Sequence, residues 1–187
     1  MITVETGRKL HIGAGRVHLP GFVNVDLFDT YHADMYCDLT RLPFDPGSFD
    51  LIYASHVLEH VHRRMVTATL HHWGSMLRYD GVLRLAVPNF DAICLRFLKT
   101  RNLNEVMGLL YGGQNHPRNN HFVTFTYESL RDHLEKAGLQ KVREWDWRET
   151  EHAEFDDYSQ CYLPHMDKEN GMLMSLNVEA SSLPPPF

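Results

Sequence analysis

Cysteine is scarce in this chain. Cys37, Cys94 and Cys161 are odd in number and widely spaced across 187 residues, which excludes a disulfide framework and a cysteine zinc pattern and fits a reducing compartment. Long apolar runs are missing too. No stretch approaches 18 apolar residues, so no membrane helix is expected. Met1 is followed by Ile-Thr-Val-Glu rather than by a basic segment and an apolar run, so no signal peptide is expected. A cytoplasmic location is the resulting expectation. Basic clusters are also lacking. The net charge is −6 and the pI about 6.1, so neither nucleic acid nor a membrane surface is an expected partner. No repeat and no linker interrupts the chain, which reads as a single domain over residues 1–180 with a frayed, proline-rich tail over 181–187. Against these absences stand 13 histidines, a high count.

The pattern that is present alternates strands with helices. Lys9–Ile12, Phe22–Leu27 and Ala33–Cys37 read as short strands, and "FDLIYAS" (Phe49–Ser55) as a strand buried on both faces. Helical spacing of apolar residues predicts a helix from Val57 to Leu77. Asp80-Gly81 predicts a turn before a strand over Val82–Val87, which Pro88-Asn89 stops. Phe90–Lys99 and Leu103–Tyr111 read as helices, and Gly112–Phe125 as a polar loop. Thr126 is the expected cap of a helix running to Lys136, ended by Gly138. Val142–Trp147 and Met172–Ala180 are the last expected strands, with acidic, irregular chain at Glu149–Tyr158. This alternation predicts an α/β sandwich around a mostly parallel sheet. Ligands of such sheets bind outside the carboxyl ends of the strands. That rule selects Gly13–Gly15, Asp26, Asp38 and Ser55–His60.

The stretch "KLHIGAGRVHLPGFVNVDL" (Lys9–Leu27) sets the ligand question. A dinucleotide fingerprint needs G-x-G-x-x-G with an acid about 20 residues later. Here the third glycine position is His18, and Arg16–Gly21 is too short a crossover for a full helix. The helix N-terminus that would face a pyrophosphate is therefore reduced, which counts against a nicotinamide-dependent reductase. A ligand without phosphates suits the loop, and S-adenosylmethionine is one. Asp26 is placed to accept its ribose diol and Asp38 its adenine amino group, while Gly13 and Gly15 permit close backbone approach.

Four ordered pieces, "LHIGAG", "VNVDL", "CDLTRLPFDPGSFDLIYASHVLEHV" and "DGVLRLAVPN", carry a resemblance to the class I S-adenosylmethionine-dependent methyltransferases of the small-molecule type. "TYESLRDHLEKAGLQKV" is similar to the late helix and sixth strand of that family, and "LMSLNVEA" to its reversed last strand. The resemblance implies a Rossmann-like three-layer sandwich, a seven-stranded sheet with one antiparallel strand, and S-adenosyl-L-methionine as cofactor. It implies cofactor contacts from Gly13, Ala14, Gly15, Asp26, Leu27, Asp38, Leu39, Ser55, His56 and His60. Where family members carry an acid before the glycine motif, this chain has Leu10-His11, and its first crossover matches a short subset of the family.

Between the fifth and sixth strands, Gly112–His121 is long and polar, the place where the family builds substrate-binding insertions. A hydroxyl or amine acceptor loses a proton on methylation, and histidine is suited to take it near neutral pH. His116 and His121 are the candidate general bases. No spaced carboxylate or cysteine partner predicts a metal site. The (N/D)-P-P-(Y/F) run of amino-methylating enzymes is replaced by Ala54-Ser55-His56-Val57, which points to a small-molecule or glycan-like acceptor. The alternative expectation is a cofactor-binding regulatory or partner subunit without catalysis.

Overall fold

Alternation along the central strand sets the layers. In the computed structural model, which describes residues 8–29 and 32–182, Phe49–Ser55 (β4) is buried at six of its seven residues. From Leu51 onward Ile52 and Ala54 face one core cluster and Leu51 and Tyr53 another, while Phe49 joins the first cluster across an irregularity between Phe49 and Leu51. This is the period of two expected of a strand covered on both sides.

Around β4, Lys9–Ile12 (β1), Phe22–Asp26 (β2), Met35–Tyr36 (β3) and Leu77–Pro88 (β5) pair in parallel. Ser175–Ser182, the last strand, runs antiparallel between β5 and Leu139–Glu144 (β6). Two short strands, Tyr162–Leu163 (β7) and Met172–Leu173 (β8), form a separate hairpin, so the last sheet strand is β9. The seven-stranded order is β3-β2-β1-β4-β5-β9-β6. This is the mostly parallel α/β sheet with one reversed strand that the sequence predicts.

One face carries helices. Val66–Ser75 (α1) and Tyr127–Lys136 (α4) place Leu70, Trp73, Leu130 and Leu134 over Leu10, Ile12, Ile52 and Leu83. Helix α4 begins as expected: Thr126 Oγ1 accepts the Ser129 amide and Ser129 Oγ accepts the Thr126 amide, closing a capping box. Phe90–Thr100 (α2), capped by Asn89, and the short Met107–Tyr111 (α3) pack with β8 around Ala92, Ile93 and Met174.

The opposite face lacks the helix that normally links the first two strands. Its place is filled from the far end of the chain. Trp145 and Phe155 pack on Leu19, Phe22, Leu51 and Tyr53. His152 stacks on Tyr53 with ring centroids 4.3 Å apart, Tyr53 donates its hydroxyl hydrogen to Asp157, and Trp145 Nε1 donates to the Leu85 carbonyl at 3.0 Å. The acidic segment after β6 is thus a covering layer built of turns.

Several boundaries differ from the sequence expectation. The Val57–Leu77 helix is two elements, a single 3-10 turn at Leu58–His60 and then α1. Val61 is extended, with φ −82° and ψ 134°. Val57, Leu58, Glu59 and Val61 are all buried, an all-round burial that one amphipathic face does not provide. Asp80-Gly81 is a bulge inside β5 rather than a turn before it. Asp80 has φ 59° and the register with β4 shifts there. Leu103–Tyr111 divides into a 3-10 turn at Leu103–Glu105 and α3. Strand β6 starts three residues earlier than expected because Leu139 is already paired with Ser182. Met172–Ala180 divides between β8 and β9. Ser181 and Ser182, assigned to a frayed tail, pair with Val82 and Leu139, and 183–187 lie outside the described residues.

Candidate functional site

The carboxyl ends of β1 and β2 are tied together before any ligand is considered. The amides of Gly13 and Ala14 donate to the Val25 carbonyl at 2.8 and 3.1 Å. Gly15 N–H donates to Asp26 Oδ2 at 2.8 Å, while Leu27 and Phe28 N–H donate to Asp26 Oδ1 at 2.7 and 3.0 Å. A glycine is required at position 13 twice over. Its φ is +71°, and a Cβ there would overlap the Val57 side chain.

A cleft of about 560 Å³ opens over these strand ends, within the size range of small-ligand sites. Gly13, Asp26, Leu27 and Leu39 line one side, and His56, Val57 and His60 the other. The 112–121 loop supplies the third wall through Asn115, His116, Arg118 and Asn119. That loop is organised by its own bonds: Gln114 N–H to the Asn119 carbonyl at 3.0 Å, Asn119 N–H to the His116 carbonyl at 2.9 Å, and His121 N–H to the Tyr111 carbonyl at 3.1 Å. Phe28 meets the His116 ring edge-on at 4.9 Å, bridging the cleft between the β2 end and the loop.

The expected site residues fall into groups. Gly13, Asp26, Leu27, Leu39, His56, His60 and His116 line the cleft. Ala14 is buried beneath it, and Gly15 contributes its amide to Asp26. Asp38 turns its carboxylate onto its own neighbour, accepting Thr40 N–H at 2.9 Å and Thr40 Oγ1–H at 2.7 Å. Those bonds hold the carboxyl below its ordinary range, with Arg41 and Arg118 adding positive charge. Ser55 is buried at the end of β4, with no partner for its hydroxyl among the described residues. His121 is not in the cleft wall; it sits behind His60, the two rings edge to face at 4.8 Å.

Glu59 stands at the centre of that rear group. It is fully buried, and neither carboxylate oxygen has a hydrogen-bond partner. His56 Nδ1 is 3.3 Å from Oε1 without forming a hydrogen bond, and His121 Nε2 is 4.0 Å away, beyond bonding distance. Burial pushes the Glu59 carboxyl up to about 8. Burial also pushes His56 down to about 3 and His60 to about 4, with neighbouring histidines reinforcing both shifts. His121 is lowered as well, by burial. At neutral pH the site therefore holds neutral imidazoles around a neutral carboxyl. The backbone carbonyl of Glu59 accepts Phe122 N–H at 2.8 Å, fastening the loop's end to the 3-10 turn.

The sequence points to Ser55–His60 as a whole, with Glu59 as a residue that could cap or orient, but not to Phe28, nor to the contact of Val57 with the glycine loop. For Phe28 the signal was an aromatic two residues beyond the strand-end acid. For Glu59 it was an acid flanked by apolar residues and one histidine in "VLEHV", whose burial demands a partner.

A methyltransferase-domain family model matches residues 10–144. No curated protein matches the sequence. Among solved structures, an S-adenosylmethionine-dependent methyltransferase from Archaeoglobus fulgidus superposes with a TM-score of 0.62 at 16% identity, covering 94% of this chain and 86% of that one. One from Thermotoga maritima, a possible histamine N-methyltransferase, gives 0.60 at 14%, covering 96% and 84%. The Burkholderia thailandensis 1,6-didemethyltoxoflavin-N1-methyltransferase, with 1,6-didemethyltoxoflavin and S-adenosylhomocysteine bound, gives 0.58 at 17%, covering 95% and 71%. The cofactor of this family fits the donor set here: a glycine loop with positive φ at Gly13 and Gly15, a strand-end carboxylate, and an apolar floor at Leu27 and Leu39. Among the described residues no helix is long and apolar enough to cross a membrane. With the family model spanning well over half its length and the sheet in the matching order, the chain belongs to the methyltransferase-domain family, and S-adenosylmethionine is its cofactor.

Proposed function

We propose that the chain transfers a methyl group from S-adenosylmethionine to a small-molecule or glycan-like acceptor, held between His56–His60 and the 112–121 loop. One observation carries the reading: a single cleft joins Gly13 and Asp26 to His56 and His60, so a donor on the first side and an acceptor on the second would meet within it. When bound, the cofactor supplies the electrophilic sulfonium methyl. The chain's own work is then to orient two reactants and exclude water. Asp26 and the glycine loop would hold the adenosine and methionine ends. Phe28 and His116 would close over the adenosine side. Of the two candidate bases, His116 lines the cleft beside Phe28 and belongs with the cofactor, while His121 lies behind His60 and would take an acceptor proton only through that ring.

A polar loop of asparagines and histidines with a single arginine, Arg118, a net charge of −6 and the absence of the amine-clamping run after β4 support a small polar acceptor over nucleic acid. The test is calorimetric titration with S-adenosylhomocysteine, followed by an acceptor screen that detects S-adenosylhomocysteine release. Binding with turnover of a sugar or small hydroxylated acceptor is the expected result. Binding without turnover across all acceptor classes would point to the regulatory-subunit reading, and turnover of nucleic acid alone would sink the acceptor assignment.

A further inference from the structure

We propose that Glu59, His60 and His121 form a binding site for a divalent first-row transition cation at the acceptor end of the cleft. One carboxylate oxygen of Glu59 and one ring nitrogen from each histidine lie within 4.8 Å of one another. The chain brings them together from two distant segments, the 3-10 turn after β4 and the end of the 112–121 loop.

Three further observations turn proximity into a donor set. The carboxylate is fully buried, with both oxygens unpartnered; no lysine or arginine pairs with it among the described residues. A buried carboxyl in that condition stays protonated when alone, and a bound cation would take the place of its proton. Each histidine has one ring nitrogen committed to a backbone carbonyl. His121 Nδ1 donates to the Leu109 carbonyl at 2.9 Å, and His60 Nδ1 to the Asn120 carbonyl at 3.1 Å. A carbonyl at Nδ1 fixes the proton there and leaves Nε2 with its lone pair, and His121 Nε2 is the atom turned toward Glu59 Oε1. His60, finally, lines the open cleft, so a cation has a path in and keeps coordination positions open to a ligand from the cleft.

Two imidazoles and a carboxylate suit Zn²⁺, Co²⁺, Fe²⁺ or Mn²⁺, whereas Mg²⁺ and Ca²⁺ favour all-oxygen cages. Metal–ligand distances of about 2.0–2.2 Å place tetrahedral ligand atoms roughly 3.3–3.5 Å apart. The 4.0 Å between His121 Nε2 and Glu59 Oε1 needs a closure of about half an ångström, and the three atoms, all within 4.8 Å, need at most about 1.3–1.5 Å, a movement of side-chain rotation.

The full chain, stripped with a chelator, is titrated calorimetrically with Zn²⁺, and Co²⁺ loading is followed by visible absorption. The expected result is one equivalent bound and an intense Co²⁺ spectrum of four- or five-coordinate type. Glu59→Gln and His121→Ala should each weaken binding at least tenfold, while His62→Ala, an exposed control among the 13 histidines, leaves it unchanged. A wild-type Co²⁺ spectrum identical to the aquo ion overturns the site, and this outcome does not depend on any variant folding. Equal affinities of wild type and both ligand variants also overturn it, assigning the binding to surface histidines. Titrations repeated with saturating S-adenosylhomocysteine separate this inference from the functional one. Failure of S-adenosylhomocysteine to bind would remove the methyl-donor reading and leave the cation site standing.

Discussion

Gly15 donates its amide hydrogen to Asp26 Oδ2 at 2.8 Å, so the acid that ends β2 also latches the glycine loop that ends β1. With the Leu27 and Phe28 amides on Oδ1, three backbone donors occupy a carboxylate that has about four acceptor positions. One remains for a ribose hydroxyl rather than the two that the residue type alone suggested. The short first crossover explains the arrangement. Without a helix after the loop, the loop amides find their acceptors on the neighbouring strand.

Asp26→Ala therefore acts on the fold as well as on the ligand. Hydrogen bonds to a charged group are worth roughly 1.5–3 kcal/mol, so S-adenosylhomocysteine affinity should fall about tenfold to a hundredfold. The melting temperature of the unliganded protein should fall too, because three amides lose their acceptor. Isothermal titration and a melting curve on one preparation check both. A normal melt with lost affinity would assign Asp26 to the ligand alone.

Gly13 and Val57 make a second coupled pair. Gly13→Ala forces a Cβ into the Val57 methyl groups and puts an alanine at φ +71°. The left-handed backbone costs roughly 1–2 kcal/mol by itself, and the overlap adds to it. Val57→Ala removes the overlap and leaves the backbone strain. The double variant should thus be more stable than the sum of the two single losses predicts, a positive coupling readable from urea midpoints in a double-mutant cycle. Strict additivity would show that the overlap relaxes without cost.

His11 contributes to the acid limb of the stability curve, alongside His56 and His60. Its ring is buried, stacked on Tyr53 at 5.3 Å, with Nδ1 donating to Asn24 Oδ1 at 3.0 Å. Burial pushes its pKa from 6.5 down to about 4. A folded value below the unfolded one means that the unfolded chain binds the extra proton between these pH values. The contribution is fully present above pH 6.5 and is lost as pH falls through 4. The loss is on the order of 3 kcal/mol across that window. His11→Gln keeps a donor for Asn24 and cannot protonate, so its stability should fall less between pH 6.5 and 4 than that of the wild type. Parallel urea curves over that range would show that His11 charges without cost.

These pairs also show what could be read from the sequence. Strand β4 announces itself as a run of apolar residues, and α4 as a cap, an apolar stripe and a terminating glycine. The glycine loop and Asp26 stand at the ends of recognisable strands, so their place at the cleft was legible. The Glu59–His121 approach was not. Helices, a strand and a loop separate the two residues, and no local period connects them. The helical stripe from Val57 to Val66 misled for a related reason: residues buried on every side repeat at helical spacing by chance, while Val61 is extended. The acidic segment after β6 has no periodicity either, and its packing on Tyr53 is fixed only by the empty space the missing helix leaves.

The two loop histidines should separate in function, because the loop places them on different sides of Glu59 and His60. His116 lines the cleft against Phe28, with ring centroids 4.9 Å apart. His121 lies behind His60, its Nδ1 hydrogen held by the Leu109 carbonyl at 2.9 Å. His116→Ala should weaken S-adenosylhomocysteine binding several-fold, the loss of one aromatic contact of about 0.5–1.5 kcal/mol, and leave kcat with an identified acceptor near the wild-type value. In the metal-free protein, His121→Ala should leave cofactor affinity within twofold and lower kcat by the roughly 10²–10⁴ expected when a proton acceptor is lost. Burial lowers the His121 pKa, so the wild-type rate should hold down to a pH below the ordinary histidine range and fall only beneath it. In the His121→Ala protein that acid limb should be gone. Titration and steady-state kinetics on both variants decide the matter. Reduced cofactor affinity in His121→Ala with an unchanged kcat would place that ring on the donor side and leave orientation of the reactants as the whole of the chain's contribution.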